Sequence, residues 1–395
     1  MKILSILAQK PSSTGSGIFL TELVNGFSKL NCKQAVIAGI SEGDQVALPE
    51  DVLFYPVYFD SEALPFPVVG MSDVMPYKST RYKEMTLEMT QSFIEAFLAV
   101  IDQAISEFKP DLLLCHHLYY LTALVRERYK ELRIIGLCHN TDLRQLEKTA
   151  FMKEFILSQV SQVDEILCLN EAQALKVQEV FETEKGRVHV TGAGYNESLF
   201  YPGSQSEAER KGRLIYAGKI AYKKGVGCLL KALQYLPYEK EGVRVTLVGD
   251  SGDEKEFSEI RKLAQDLPYQ VEFTGALSQD ALAEQYRQSE VFVLPSFSEG
   301  LSLTMMEAIA CGCKVVISDL PGIKEWLAVN IPGSVVEFVT LPVLYDNDEA
   351  RAEDLPDFER RIAAGIVKIR EREYHKVEMK SLSWQGICEK ILTIN

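Results

Sequence analysis

The sequence predicts an α/β chain built from two doubly wound domains, and three observations carry that expectation. Short apolar runs alternate with helix-period segments along nearly all of the 395 residues. The runs are continuous rather than alternating polar and apolar, as expected for parallel strands covered on both faces. The alternation breaks once, in a stretch from Gly192 to Arg213 that holds four glycines and a proline, and then restarts. That stretch reads as a linker.

Each element follows from its local pattern. KILSIL is the opening strand, and the helix predicted from Gly17 to Leu30 puts Phe19, Leu20, Leu23 and Phe27 on one face. QAVIAGI and LFYPVYF are the next strands, and an amphipathic stretch from about Lys83 to Phe108 is the long helix. Pro110 introduces the strand DLLLCHH. A helix near Leu121 to Tyr129, the strand RIIGLCHN, a helix near Glu147 to Ser158, the strand DEILCLN and the helix EAQALKVQEVF complete the first half. After the linker come LIYAGK, a helix from Val226 to Tyr235, VRVTLVGD, a helix near Asp253 to Gln265, and VEFTG. The helix ALAEQYRQS, the strand VFVLPS, a short helix from Thr304 to Cys311, KVVISD and PGIKEWLA follow, and the chain is then irregular until the final helix WQGICEKIL. Strands separated by helices imply right-handed crossovers and doubly wound sheets.

Composition narrows the function. Apolar residues make up 47% and charged residues 25%, which is ordinary for a folded globular chain. With 56 acidic and 42 basic side chains the formal net charge is −14, the wrong sign for a protein that holds a nucleic-acid backbone. The eight cysteines mostly stand inside apolar runs and behave as small buried hydrophobes; Cys311 and Cys313 lack a second pair of ligands. The opening apolar stretch is too short for a secretory signal, and no later run approaches a membrane span. A reduced, cytoplasmic enzyme is the expectation.

In open α/β sheets ligands bind beyond the carboxyl ends of the strands, where helix N-termini present amide hydrogens. Four strand-to-helix turns there carry unusual residues. The first runs from Lys10 to Gly17, where Gly15 and Gly17 flank Ser16 and let backbone approach an anion; an ordinary Gly/Ser connection explains it equally. The second runs from Tyr216 to Gly225 and holds Lys219, Lys223 and Lys224, within a window (201–250) that has nine basic and five acidic side chains. Ammonium groups there suit a diphosphate, and a solvated lysine cluster is the plainer reading. The third runs from Ser296 to Glu307, with Glu299 on the loop and Glu307 in the helix. A carboxylate can accept two hydroxyl hydrogen bonds and so hold a vicinal diol. Thr304 to Glu307 also matches a capping box, and a glycosidase pair would need carboxyls facing across a substrate. The fourth runs from Leu137 to Asp142, at a strand end whose His139 is a hydrogen-bond donor or proton carrier, with His116 and His117 ending the preceding strand; a lone histidine in such a place is more often structural.

Together these residues resemble a known family. SFSEGLSLTMMEAIACGCKVVISD is similar to the Glu-x7-Glu motif of the retaining glycosyltransferases of family 4, or group 1, and GRLIYAGKIAYKKG resembles their Gly-Arg-x4-Lys-Gly phosphate motif. VEFTGAL, LCHNTDL and the closing Ser-Trp segment fall in the family's order, so the resemblance covers nearly the whole chain. It implies the GT-B fold: two Rossmann-like doubly wound domains facing across a cleft. Residues 1–200 would be the acceptor-side domain and 201–382 the nucleotide-sugar domain, with the helix at 383–395 packing back on the first.

The resemblance also implies roles. Lys219 and Lys224 would neutralise the donor diphosphate. Glu299, with the amides of Gly300 and Leu301, would hold hydroxyls of the transferred sugar, in a turn that Ser302 completes. Glu307 would bind the ribose diol, Leu303 would pack under the nucleotide, and Ala276 and Leu277 would meet the base. His139 would contact the primary hydroxyl of the sugar, and the loop Gly15, Ser16, Gly17 would cap the diphosphate. The catalytic set is thus His139, Lys219, Lys224 and Glu299. The expected reaction is retaining transfer of a hexosyl group, with no metal or other cofactor required. UDP-sugar is the first choice of donor, with GDP- or ADP-sugar behind it. The acceptor is an unidentified sugar, glycan, lipid or protein, read by the irregular stretch from Asp60 to Arg81; nucleic acid is not expected, and a membrane surface is not indicated.

Three departures stand out. Lys219 replaces the usual arginine and turns a bidentate contact into a point charge, Ser302 replaces a glycine or proline, and the first loop has Gly-Ser-Gly in place of a glycine pair. Asp346-Asn347-Asp348 is a DxD of the kind that holds a divalent cation, but it follows both domains in a run of acids and reads as a solvated loop. Rival readings are a nucleotide-sugar epimerase or phosphorylase on the same fold, and a non-catalytic partner protein.

Overall fold

The computed structural model describes residues 1–11, 13–72, 75–346 and 349–394. Ser12 of the first loop, Asp73 and Val74 of the 60–81 stretch, Asn347 and Asp348 of the DxD, and Asn395 lie outside the described residues. The chain divides into two compact units, Met1–Gly194 with Trp384–Asn395, and Tyr195–Ser383. The division falls at Gly194/Tyr195, ahead of the expected 200/201. Tyr195 belongs to the second unit because its N–H donates to the Leu382 carbonyl at 3.1 Å, and Phe200 is buried with its ring 6.2 Å from Tyr286.

The first unit holds a seven-stranded parallel sheet. Its spatial order is Leu53–Phe59, Lys33–Ser41, Lys2–Leu7, Leu112–His116, Ile134–Leu137, Glu165–Cys168 and Val188–Val190. The chain order therefore reverses between Lys2–Leu7 and Leu112–His116, where Ile3 pairs with Leu112 and Ile6 with Cys115. The central strands, such as Lys2–Leu7 and Leu112–His116, are buried on both faces, which explains their unbroken apolar runs. Helix Leu87–Phe108 starts at Thr86, whose hydroxyl accepts from Met89 N–H, and it buries Phe93, Phe97, Ile101, Ala104 and Phe108 at helical spacing. Complete burial of a side chain such as Phe97 contributes about 1.5–3 kcal/mol. The last helix, Trp384–Thr393, packs on helix Gly15–Lys29, and Gly26 permits the approach. A Cβ there would lie 2.6 Å from Cys388 Sγ and 2.9 Å from the Trp384 carbonyl oxygen.

The second unit holds a six-stranded parallel sheet in the order Gln270–Gly275, Arg244–Val248, Arg213–Ala217, Val291–Leu294, Lys314–Ser318, Val336–Val339. Here the reversal falls between Arg213–Ala217 and Val291–Leu294, with Leu214 paired to Val291.

Two stretches differ from expectation. The helix expected near 147–158 is two helices, Thr141–Lys148 and Lys153–Val160, separated by an extended Thr149 and a left-handed Met152 with φ 46°. Beyond residue 330 the chain is more regular than expected, with strand Val336–Val339 and helix Leu355–Arg370. Pro356 lies in the first turn of that helix, where a missing N–H costs nothing, and Phe358, Ile362, Ile366 and Ile369 form its buried face.

Candidate active site

Each sheet places polar residues at its reversal point, and the two points differ in chemistry. In the second unit, strand Arg213–Ala217 ends in the turn that carries Lys219. A single 3₁₀ turn, Tyr222–Lys224, then leads through Gly225 into helix Val226–Ala232. Gly225 has φ 72°, and a Cβ on it would sit 1.9 Å from the Pro295 carbonyl oxygen, so only glycine lets this turn lie against the end of strand Val291–Leu294. Phe297 N–H donates to the Lys223 carbonyl at 3.1 Å and fixes the two turns together. Lys224 Nζ then meets Glu299 Oε1 at 2.8 Å, while Lys223 Nζ lies 3.1 Å from Glu349 Oε1. The Lys224 and Glu299 side chains keep 32% and 17% of their surface open, enough for a ligand to compete for them.

The Lys219 turn is braced from below. Tyr216 is fully buried and its hydroxyl donates to the Lys219 carbonyl at 2.6 Å. Ile220 N–H donates to the Asp250 carbonyl at 2.9 Å, and Asp250 Oδ1 accepts from Ala276 N–H at 3.2 Å. Three successive strand ends are thereby joined, with Ala276 exposed and Leu277 half-buried at the third.

Ser302 is the N-cap of helix Leu303–Ala310, and its Oγ accepts from Met305 N–H at 3.2 Å. The capping box expected between Thr304 and Glu307 is not formed, because the helix begins earlier. Glu307 lies in the second turn, buried, and Leu303 is half-buried. Gly300 and Leu301 occupy the turn between Glu299 and the cap, so this segment brings Glu299, Gly300, Leu301, Ser302, Leu303 and Glu307 into one strand-to-helix connection.

In the first unit, Gly15, Ser16 and Gly17 are the first turn of a helix rather than a loop. Thr14 caps that helix, and its Oγ1 takes the Gly17 N–H at 3.1 Å. Ser16 Oγ donates to Gln9 Oε1 at 3.0 Å, and His117 Nε2 meets the same oxygen at 3.1 Å. His116 Nδ1 lies 3.2 Å from His139 Nε2 with the rings stacked. Burial drives the pKa of His139 down to about 3 and holds those of His116 and His117 well below 6.5, so all three are neutral at pH 7. Asp142 lies fully buried among them and accepts from Leu118 N–H at 2.9 Å and His139 N–H at 3.1 Å; burial raises its carboxyl pKa against the pull of those bonds. Within the 60–81 stretch, the Met71 carbonyl accepts from Gln145, and Phe66, Val68 and Val69 are core residues.

Sequence reasoning assigned no role to Gln9, Asp142, Tyr216 or Asp250, although Asp142 and Tyr216 bound two of the four turns. Each is a polar group within a few residues of a strand end, which was the available signal; what it bonds to was not. A cavity of about 490 Å³ beside Tyr201, Gly203, Glu284 and Arg287 touches none of the expected site residues. Among the described residues no cluster of three or more His, Cys, Asp or Glu could hold a metal ion.

Residues 199–340 match the family model described as glycosyl transferases group 1. That segment of the chain is similar to group 1 glycosyltransferases. The chain is 27% identical over 252 residues to the D-inositol 3-phosphate glycosyltransferase of Thermomonospora curvata, covering 58% of this chain and 56% of that one. The chain spans about half the length of the curated relatives it matches. Among solved structures, sucrose-phosphate synthase from Thermosynechococcus elongatus superposes with a TM-score of 0.69 at 18% identity, covering 100% of this chain and 98% of that one. The Anabaena protein HepE, solved in complex with UDP, gives 0.64 at 14%, with 99% and 98% covered. The fold of this chain is GT-B, as its motifs imply, and the family match spans the strand-to-helix turns of the second unit that carry Lys219, Lys224, Glu299 and Glu307. No helix among the described residues is long and apolar enough to cross a membrane.

Proposed function

We propose that this chain moves a hexosyl group from a nucleotide diphosphate sugar to a hydroxyl of an acceptor, with retention of configuration and no required metal. UDP-sugar is the proposed donor, in keeping with the UDP complex of the Anabaena structure. The observation that carries the reading is the 2.8 Å pair of Lys224 with Glu299 at the reversal point of the second sheet, eight residues before the buried Glu307.

The chemistry follows from charge. As the bond from the sugar carbon to the diphosphate breaks, negative charge grows on the leaving phosphate, and Lys219 and Lys224 are assigned to stabilise it. Two ammonium groups supply the positive charge that a metal ion supplies in other transferases, which is why none is invoked. Donor binding draws Lys224 from Glu299 to the phosphate, and the released carboxylate, with Gly300 and Leu301 N–H, takes the sugar hydroxyls. Glu307 is assigned to the ribose diol, Leu303 to the nucleotide face, and Ala276 and Leu277 to the base. For the first unit, His139 is assigned to the primary hydroxyl of the sugar, and the helix start at Gly15, Ser16 and Gly17 to a phosphate. Retention rests on the family resemblance.

Thermal-shift titration with UDP, GDP and ADP in EDTA tests the proposal. UDP is expected to raise the melting temperature, since a ligand at 100 times its Kd adds about 2.7 kcal/mol. No shift from any nucleotide in a well-folded sample overturns the reading.

A further inference from the structure

The reversal point of the first sheet encloses a small cavity lined by Ala8, Met71, Tyr82, His116, His117, Tyr119 and Leu121. Ala8 follows strand Lys2–Leu7, and His116 closes strand Leu112–His116, so the cavity lies where a doubly wound sheet receives its ligand. Its volume is about 10 Å³, room for one hydroxyl or one water. Two residues of the lining, His116 and Tyr119, are each only 2% exposed, and each has a polar atom, His116 Nε2 and Tyr119 Oη, without a hydrogen-bond partner among the described residues. Buried polar atoms without partners cost about 1–3 kcal/mol each, so the site is incomplete as it stands.

The rest of the lining fixes what completes it. The rings of Tyr82 and Tyr119 meet edge to face at 4.9 Å and offer an apolar wall of the kind that packs on the C–H face of a sugar ring or polyol. Among the described residues, none that lines the cavity is a lysine or arginine, and its histidines are neutral. Lys10, two residues after Ala8 in the chain, is held by Asp44 at 2.6 Å and lies over the Tyr77 ring. A phosphoryl group carries two negative charges and needs cationic partners and more room than one water occupies.

We infer that this cavity receives an uncharged hydroxyl group of the acceptor, held by His116 and Tyr119, so that the acceptor ends in a neutral sugar or polyol and not in a phosphate. This rests on the transferase reading. Tyr119 donates its hydroxyl proton or accepts the ligand's, and His116 Nε2 takes the complementary role. No bond is made or broken at this point, since the residues bind and orient.

The test uses the full chain saturated with UDP, whose own affinity is measured first and judges the transferase reading separately. Matched probes are then titrated calorimetrically: methyl α-glucoside and myo-inositol against glucose 6-phosphate and myo-inositol 1-phosphate. Binding of a neutral probe at least about tenfold tighter than its phosphorylated partner is expected. Tyr119→Phe should weaken that binding at least about fivefold, the loss of one hydrogen bond, and His116→Gln should do the same. Equal or tighter binding of the phosphorylated probes overturns the inference. So does an absence of binding by both neutral probes, or neutral binding that Tyr119→Phe leaves unchanged, which would mean the cavity holds only a structural water.

Discussion

The two reversal points have the same topology and opposite chemistry. At the second sheet a lysine and a glutamate pair at 2.8 Å and stay partly open to solvent. At the first, the neutral histidines His116, His117 and His139 meet Gln9, Ser16 and one another in a largely buried polar cluster, beside the unpartnered hydroxyl of Tyr119. The doubly wound sheet therefore decides where a ligand sits, and the side chains after the strands decide what charge it carries.

The largest expected effect that would break this contrast is at Lys224. Lys224→Ala should weaken UDP binding about 10- to 100-fold, the worth of a charge-assisted hydrogen bond, measured by calorimetry. An unchanged Kd would mean the second reversal point is not a phosphate site. Salt sharpens the same contrast. Raising ionic strength from about 0.05 M to about 0.5 M should weaken UDP binding several-fold while a neutral polyol keeps its affinity, because screening acts on charged partners.

Acid should strike the first unit through its histidines. Their folded pKa values lie below the ordinary 6.5, so an unfolded chain binds more protons in that range. The stability is fully present above 6.5 and is lost as pH falls toward the folded values. Asp142, with a raised pKa, works the other way nearer 3.8. Melting temperature is expected to fall from about pH 7.5 to about pH 5, and a flat profile would break the picture of a buried neutral cluster. The smallest effect is at Tyr216. Tyr216→Phe removes the hydrogen bond to the Lys219 carbonyl and should cost about 0.5–1.5 kcal/mol of stability, with a few-fold weaker UDP binding. Loss of stability without any change in UDP affinity would show that the brace serves the sheet and not the phosphate turn.

The sequence by itself located most strands and helices of both sheets, because continuous apolar runs and helical spacing are local signals; it did not give the edge strands Val188–Val190 and Val336–Val339. It also placed Glu299, Glu307, Lys219, Lys224 and His139 at strand ends. Only the tertiary structure decided which of these meet. Lys224 and Glu299 are 75 positions apart, and their contact depends on Gly225 lying against Pro295. Glu307 looked like a capping residue until the helix start was fixed by Ser302, a choice made where the turn leaves strand Val291–Leu294. The helix Leu355–Arg370 was legible in its spacing but masked by its proline and acids. Gln9 and Asp142 were invisible as hubs, because a buried polar side chain is defined by partners such as His117, 108 positions away from Gln9, that only the folded sheet brings within reach.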